Sequence, residues 1–195
     1  MSGKNLVESV IEASNYIFER KLVSGKAGNV SARFKDNEMD IIAITPTGIS
    51  LSEVNQKNVV LVDLDGNLLS KGKPSSEFLL HLEIYKKKPE VKGIVHTHSP
   101  YATGFSFSNN KIKRLEGFGA IKKSYLEEVE YKKPGSKELA QATAEKIVPE
   151  DVIILKNHGV VATGINVQEA AALAEFIEEI AKTQFVYYML NSKNK

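Results

Sequence analysis

Two histidines one residue apart are the strongest chemical feature of this 195-residue chain. His96 and His98 end an apolar run that starts near Gly93, as a buried strand does. Side chains at i and i+2 of a strand point to the same face, so the two imidazoles are expected to converge. His158 follows a second apolar run, which begins at Val152. Three neutral imidazoles are the ligand set of a catalytic zinc ion that keeps one open position, and we predict such a site.

Each histidine also has a simpler interpretation, as a side chain that packs or bonds the backbone at a strand end. For His158 alone the simpler interpretation is favoured, whereas the His-x-His pair with a second strand-end histidine favours a metal. Nitrogen ligands suit Zn²⁺ better than Mg²⁺, which prefers oxygen. Co²⁺, Mn²⁺ and Fe²⁺ remain alternatives to zinc. The chain has no cysteine, so thiolate ligands and disulfides are excluded.

Glu77 is the candidate carboxylate, and it follows Ser75 and Ser76 at the predicted start of a helix. A glutamate in a first turn also interacts favourably with the helix dipole, and position alone favours that structural role. His81 lies four residues later, on the same helical face. It could compete as a metal ligand, but a surface or packing role is favoured.

Three short segments have the composition of anion-binding loops. Glycine lets the backbone approach a ligand, and hydroxyls with N–H groups at a helix N-terminus suit a phosphate. Turns use the same residues, so each segment alone is weak evidence. Beside a candidate metal site they predict a phosphate site, and they are Ala27-Gly28-Asn29, Thr45-Pro46-Thr47-Gly48 and Ser75-Ser76.

The composition argues against several classes of protein. The formal net charge of +2 provides no footprint for a nucleic acid. No segment approaches the roughly 18–20 apolar residues that a membrane helix needs, and the N-terminus lacks an apolar signal segment. We therefore expect a cytoplasmic protein without nucleic-acid or membrane partners. The run Lys86-Lys87-Lys88 is expected to be a solvated helix end.

Periodicity and turn residues predict one interleaved α/β domain over residues 1–195. Several strand pairs are expected to be hairpins, so the sheet should be mixed or mostly antiparallel, with helices on its faces. Helices are predicted at about 6–23, from an N-cap at Ser76 to Tyr85, from Pro100, from a cap at Ser136 to Val148, and at about 167–190. Strands are predicted at 29–34, 39–44, 59–63, 67–70, 92–97, around Ile121 and Val129, and at 152–155 and 160–162.

Taken in order, these residues resemble the class II aldolase/adducin family. Any one motif would be unspecific, whereas five in order, between residues near 24 and 190, make chance implausible. The motifs are Gly28-Asn29-Val30-Ser31-Ala32-Arg33, Ile44-Thr45-Pro46-Thr47-Gly48, Lys73-Pro74-Ser75-Ser76-Glu77, His96-Thr97-His98 and Asn157-His158-Gly159. The loop Pro134-Gly135-Ser136 before a helix also looks like the family's.

The resemblance implies a three-layer α/β/α fold around a mixed, mostly antiparallel sheet, in a homotetramer with active sites between subunits. It implies one zinc ion per subunit, held by His96, His98 and His158. Glu77 matches the catalytic acid/base, which also ligates the metal when the site is empty. The implied contacts to the substrate phosphate are Gly28, Asn29, Thr47, Gly48, Ser75 and Ser76.

The implied reaction is the cleavage of a ketose 1-phosphate, L-fuculose 1-phosphate, to dihydroxyacetone phosphate and L-lactaldehyde through a metal-stabilised enediolate. No lysine Schiff base is needed. A ribulose-5-phosphate 4-epimerase is the nearest alternative, but that branch has an aspartate where this chain has Glu77. A methylthioribulose-phosphate dehydratase keeps the glutamate and is a further alternative. A non-catalytic adducin-like scaffold is disfavoured because such domains have lost the zinc histidines.

The aldehyde half of the implied site departs from the family. Bacterial members supply a tyrosine some twenty residues after His-x-His, and here Arg114-Leu115-Glu116-Gly117-Phe118-Gly119 has none. A second tyrosine, on a C-terminal tail, is not expected here either. The candidate substitutes are Tyr101, Tyr125 and Tyr131, while Tyr187 and Tyr188 are expected at a subunit interface or in the core.

Overall fold

Helices and strands alternate along the residues that the structure, a computed structural model, describes: 3–36, 39–114 and 123–192. A short 3-10 turn spans Leu51–Glu53. In chain order the elements are α1 (Gly3–Glu19), β1 (Asn29–Asp36), β2 (Met39–Ile44), β3 (Val60–Asp63), α2 (Phe78–Lys87), β4 (Gly93–Thr97), α3 (Pro100–Phe107), β5 (Glu128–Val129), α4 (Lys137–Ile147), β6 (Val152–Leu155), β7 (Gly159–Gly164) and α5 (Val167–Ser192).

The strands form one mixed sheet in the order β3-β2-β1-β4-β7-β6-β5. All neighbours pair antiparallel except β5 and β6, which are parallel. The predicted mixed, mostly antiparallel sheet is therefore confirmed. The strands that carry or flank the histidines, β4, β6 and β7, lie side by side, so two distant sequence motifs meet at one place.

Alternating side chains divide the core into two apolar layers. Ile42 and Ile44 of β2 pack on the face covered by α2 and α4, whereas Ala43 faces α1, α3 and α5. In β6, Ile153 and Leu155 take the first face and its other two residues take the second. Each such burial stabilises the fold by about 1.5–3 kcal/mol per large side chain. The arrangement confirms the three-layer α/β/α prediction.

Most predicted helix starts are found where the caps indicated. Ser136 Oγ accepts the backbone N–H of Leu139 at 3.1 Å, and α3 begins at Pro100. At α5 the Asn166 Oδ1 accepts the N–H of Glu169 at 2.8 Å. Local hydrogen bonds decide these positions, which is why sequence patterns locate them.

Three helix boundaries were predicted wrongly. The first helix ends at Glu19 rather than near residue 23, because Lys21 adopts a left-handed backbone (φ 59°) and Leu22 N bonds Ile17 O at 3.0 Å. Ser76 is not the N-cap of α2. Glu77 occupies that position, with no capping hydrogen bond from its side chain. The helix then runs to Lys87, beyond the predicted end.

Two other predictions also need correction. Lys88 is not a solvated helix end, because its side chain is buried and Nζ donates to Glu150 O at 2.6 Å and to Asp151 Oδ1 at 3.2 Å. Residues 67–70 turn back on β3 but form only a single bridge, from Val62 to Leu68, instead of a strand. The strand predicted around Ile121 lies outside the described residues.

Within the described residues, no helix is long and apolar enough to cross a membrane.

Candidate metal centre

Glu77, His96, His98 and His158 come together at the end of β4. One ligand atom from each lies within 4.8 Å of the others. His96 Nε2 is 2.9 Å from His98 Nε2 and 3.3 Å from His158 Nε2. The Glu77 carboxylate oxygens lie 3.2 Å from His96 Nε2 and 3.5 Å from His158 Nε2. The structure therefore brings together all four residues that were predicted as metal ligands.

The four separations of 2.9–3.5 Å are close to those expected around a tetrahedral ion. Ligand atoms about 2.0–2.1 Å from a tetrahedral zinc ion lie about 3.3 Å from one another. The three ring centroids are 4.7–4.9 Å apart and the rings meet at steep angles, while Nε2 of His98 and of His158 both lie within 3.3 Å of His96 Nε2. Buried Glu77 Oε1 has no hydrogen-bond partner among the described residues, as expected of an oxygen that faces an ion.

The backbone fixes which nitrogen of His96 is available to a metal. His96 Nδ1 lies 2.9 Å from the carbonyl oxygen of Val160, and a carbonyl can only accept. Nδ1 therefore carries the proton and Nε2 presents its lone pair to the cluster when the ring is neutral. Such outer contacts orient the ligands of metal sites.

The electrostatics of the cluster favour a charged pair of Glu77 and His96, with neutral rings at His98 and His158. Burial opposes ionisation of Glu77, but the charge and hydrogen bond of His96 outweigh it, so the pKa of Glu77 is lowered. Burial, with the charge of His96, lowers the pKa of His98 to about 3 and that of His158 to about 4. Both rings are thus neutral at neutral pH, the form in which histidine binds a metal.

Close backbone approach brings the histidines together. His98 follows the last residue of β4, immediately before the cap of α3. A Cβ on Gly159 would lie 2.2 Å from Thr97 O and 3.3 Å from His98 Cδ2, so only glycine lets β7 start this close to β4. Asn157, with a positive φ of 55°, turns the chain from β6 so that His158 enters the cluster.

Glu77 is held from β1 and from its own loop. Asn29, which pairs with His96 in the β1–β4 register, donates from Nδ2 to Glu77 Oε2 at 3.1 Å. Ser75 Oγ accepts the backbone N–H of Glu77 at 3.3 Å. The carboxylate points into the cluster instead of capping its helix. The helix-dipole interpretation, which position alone favoured, therefore describes its side chain less well than the metal-site interpretation.

The predicted anion-binding segments adjoin this cluster. Residues 45–48 and 73–76 run side by side, with Thr47 N bonded to Lys73 O at 3.1 Å and Ser75 N to Thr45 O at 3.0 Å. Gly28 (φ 80°) lies against β4, and a Cβ there would be 2.9 Å from His96 O. Gly48 and Ser76 are exposed, and Thr47 is half-buried. These residues form the rim beside Glu77, and their contact with a phosphate is still a prediction.

Among the described residues, the candidate substitute tyrosines have the following surroundings. The Tyr101 ring packs on Phe185 of α5, with centroids 5.5 Å apart. Tyr125 and Tyr131 are exposed. The tyrosine-free segment after Arg114 lies outside the described residues. The structure thus brings the candidate metal ligands together, and which tyrosine serves the aldehyde half stays a prediction.

The sequence favoured a surface or packing role for His81 over metal ligation, and it did not predict the hydrogen-bond partners of the ring. His81 is fully buried and lies outside the metal cluster. Its ring instead contacts Asn29, which in turn contacts Glu77. The four-residue spacing from Glu77 was the available signal, but it could not show which partner His81 meets.

A family model described as Class II Aldolase and Adducin N-terminal domain matches residues 8–185. The chain belongs to this family. It is an enzyme of the class II aldolase type. Class II aldolases use a divalent metal ion, and the cluster around His96 could hold one.

Relatives of this class II aldolase carry two different activities in their names. The L-fuculose phosphate aldolase of Methanococcus maripaludis is 40% identical over 176 residues, covering 90% of this chain and 94% of the relative. The 3-oxo-tetronate 4-phosphate decarboxylase of Haemophilus influenzae is 36% identical over 183 residues, covering 91% of this chain and 86% of the relative. A solved L-fuculose 1-phosphate aldolase superposes with a TM-score of 0.86 at 28% identity, covering 99% of this chain and 89% of that one. The chain therefore shares the fold and family of these enzymes, and the named relatives differ in substrate.

Proposed function

We propose that this protein is a zinc-dependent aldolase that cleaves L-fuculose 1-phosphate to dihydroxyacetone phosphate and L-lactaldehyde. The convergence of Glu77, His96, His98 and His158 beside a loop rim suited to phosphate carries this proposal. The relative from M. maripaludis supports the substrate through its name. Glu77 in the position after Ser76 keeps the aldolase favoured over the epimerase.

In the proposed site the three histidines would hold the ion, and Glu77 would be a further ligand when substrate is absent. When bound, the ion supplies Lewis-acid stabilisation of the negative charge that develops beside the ketose carbonyl. Three nitrogen ligands and a carboxylate favour zinc among divalent ions. We propose one zinc ion per subunit.

The protein's own residues orient the substrate and move protons. Gly28, Asn29, Thr47, Gly48, Ser75 and Ser76 are proposed to hold the phosphate. Holding it fixes the substrate carbonyl and C3 relative to Glu77, and such orientation can contribute several kcal/mol to catalysis. The ionised Glu77 carboxylate takes the proton of the C4 hydroxyl as the C3–C4 bond breaks, the aldehyde leaves, and the electron pair stays on C3. Glu77 then supplies a proton to C3, which completes dihydroxyacetone phosphate.

Decarboxylation of 3-oxo-tetronate 4-phosphate is a second candidate, because a 36% identical relative is named for it. Loss of CO₂ from that acid leaves an electron pair on the carbon beside the carbonyl, and protonation again gives dihydroxyacetone phosphate. The two reactions therefore share the part of the substrate that carries the phosphate, the carbonyl and the new C–H bond. They differ only in the leaving group, an aldehyde or CO₂, so the metal and phosphate residues serve both equally well.

A three-part assay on the purified, zinc-loaded protein separates these activities. Dihydroxyacetone phosphate is followed with a coupled reductase and NADH on a panel of ketose 1-phosphates and on 3-oxo-tetronate 4-phosphate. Aldehyde and CO₂ are measured in parallel. We expect triose phosphate and an equal amount of aldehyde from L-fuculose 1-phosphate. Release of CO₂ with inactivity on every ketose 1-phosphate would favour the decarboxylase. Interconversion of pentose 5-phosphates without release of triose would contradict both.

We further propose a homotetramer with active sites between subunits, where a neighbouring chain completes the aldehyde half. The apolar residues of the last turns of α5 are exposed and suit such an interface. The single domain over residues 1–195 and the cytoplasmic location remain predictions from the sequence.

A further inference from the structure

A chain of buried hydrogen bonds leads from the interior of the sheet to Glu77. Tyr85 Oη lies 2.8 Å from Ser31 Oγ, which lies 2.7 Å from His81 Nδ1. His81 Nε2 is 2.5 Å from Asn29 Oδ1, and Asn29 Nδ2 is 3.1 Å from Glu77 Oε2. All five side chains are buried, and His81 and Tyr85 are fully so.

The chemistry of the groups sets the direction of every bond in this chain. The Glu77 carboxylate can only accept, so Asn29 must turn its NH₂ toward it and its oxygen toward His81. That oxygen accepts only from a protonated Nε2, which leaves Nδ1 of the neutral ring as an acceptor. Ser31 therefore donates to Nδ1, and Tyr85 donates to Ser31.

His81 discriminates between the two orientations of the Asn29 side chain. If the amide were rotated by half a turn, its NH₂ would face the N–H of His81 and its oxygen would face the Glu77 carboxylate. Two donors would then oppose each other on one side and two acceptors on the other. An unpaired buried polar group costs about 1–3 kcal/mol, so the ring stabilises the orientation that donates to Glu77.

We propose that His81 is a positioning residue, whose Nε2–H holds Asn29 so that its amide donates to Glu77 and fixes the catalytic carboxylate. His81 touches neither substrate nor metal in this account. It acts through Asn29, and the inference about catalysis rests on the proposed function of Glu77. The rest of the buried chain, Ser31 and Tyr85, sets the tautomer of the ring.

Two amide substitutions that differ by one methylene test the proposal. Glutamine can place an N–H near the position of Nε2, whereas asparagine reaches only toward Ser31. We expect His81→Leu and His81→Asn to lower kcat about 10–100-fold, with KM and bound zinc little changed. His81→Gln should recover most of kcat. Thr143→Val, which removes another buried hydroxyl from α4, is the control and should leave kcat unchanged.

Equal kcat for the Gln and Asn variants would overturn the proposal, because packing alone would then explain the site. A loss of kcat that is matched by loss of zinc would overturn it as well. Wild-type activity on the substrate panel is measured first, so that failure of the proposed function is recognised separately.

The tautomer of His81 gives a readout that needs no activity. Two-dimensional ¹H–¹⁵N spectra of selectively labelled wild-type protein, assigned by comparison with His81→Gln, distinguish the two neutral forms. We expect the Nε2–H form. An Nδ1–H ring or a doubly protonated ring at neutral pH would overturn the proposal, even if the leucine and asparagine variants do not fold.

Discussion

Glu77 illustrates how little a residue's position says about its chemistry. At the start of a helix it has the place of an ordinary dipole-stabilising carboxylate. Its side chain instead lies 3.2 Å from His96 and accepts from Asn29. The pKa of Glu77 is lowered because the charge and hydrogen bonds of these neighbours outweigh burial. A carboxylate that is ionised and close to three histidines can bind a metal or carry a proton.

Substitution of Glu77 by glutamine tests its proton-transfer role. The amide keeps the shape and one oxygen, so fold and bound zinc should be retained. It cannot carry the proton, and we expect cleavage and solvent exchange at C3 of dihydroxyacetone phosphate to fall about 10²–10⁴-fold. Exchange is measured by deuterium incorporation. Glu83→Gln, on the same helix and paired with Lys86, is the control. Wild-type exchange in the Glu77 variant would remove it from this role.

The buried ring of His81 should make stability depend on pH. Burial, with the charge of His96, lowers the pKa of His81 from 6.5 to about 3. Between pH 6.5 and about 3 the unfolded chain binds a proton at this ring and the folded protein does not. The free energy of unfolding therefore falls as the pH falls through this range.

We therefore expect His81→Gln to flatten the acid side of the stability curve. Between about pH 6.5 and 3, its free energy of unfolding should fall less steeply than that of the wild type, by up to about 1.4 kcal/mol per pH unit. Urea titrations at a series of pH values with a metal chelator measure both proteins. Parallel curves of unfolding free energy against pH for the two proteins would show that the folded protein binds a proton at His81 as readily as the unfolded chain does.

At the scale of elements, glycines decide how closely the strands and loops approach the cluster. Gly28 joins the loop after α1 to β1 and lies against the His96 carbonyl. Gly159, the first residue of β7, likewise lies against the end of β4. The histidines and Glu77 can meet only because these backbones pass without an intervening Cβ.

Alanine at Gly28 should disturb both stability and metal binding. Its Cβ would lie 2.5 Å from Val23 Cγ1 and 2.9 Å from His96 O, at a φ of 80°. Strain and overpacking together should cost about 2–4 kcal/mol. Gly25→Ala has a similar φ of 58° but open space around it, so about 1–2 kcal/mol is expected. Urea unfolding and zinc content measure both, and equal losses would contradict the proposed close-approach role of Gly28.

At the scale of the molecule, the surface at the C-terminal end of α5 is apolar. Tyr187, Tyr188, Met189 and Leu190 are all exposed in the last turns of α5. An apolar groove of about 550 Å³ lies between this end and α3. Exposed apolar surface of this extent is typical of an interaction site, which supports the proposed contact between subunits.

A charge placed on this surface tests the tetramer. Wild-type protein should show about four times the 21.5-kDa chain mass by light scattering. Leu190→Asp should reduce that mass and the activity, because a charge buried in an interface is destabilising. Ile165→Asp is the control, since Ile165 is 71% exposed and Leu190 is 70%. A monomeric wild type would contradict the proposed assembly.

Local sequence patterns were sufficient to predict most of the elements and the residue types of the candidate site. Alternating apolar residues in β2 and β6, the caps at Ser136 and Asn166 and the His-x-His spacing are local signals, so the sheet, most helices and the candidate ligands followed from them. Errors occurred at helix boundaries, at residues 67–70 and at Lys88, whose side chain is buried by contacts with residues distant in sequence.

Which of these residues contact one another depends on how the strands pair and pack. Pairing of β1 with β4 places Asn29 opposite His96, and only this register connects Glu77 through Asn29 to His81. The nitrogen that each ring presents depends on a partner from another element, as Val160 shows for His96. Hydrogen-bond direction in a buried site depends on every neighbour at once, and neighbours so far apart in sequence leave no local pattern.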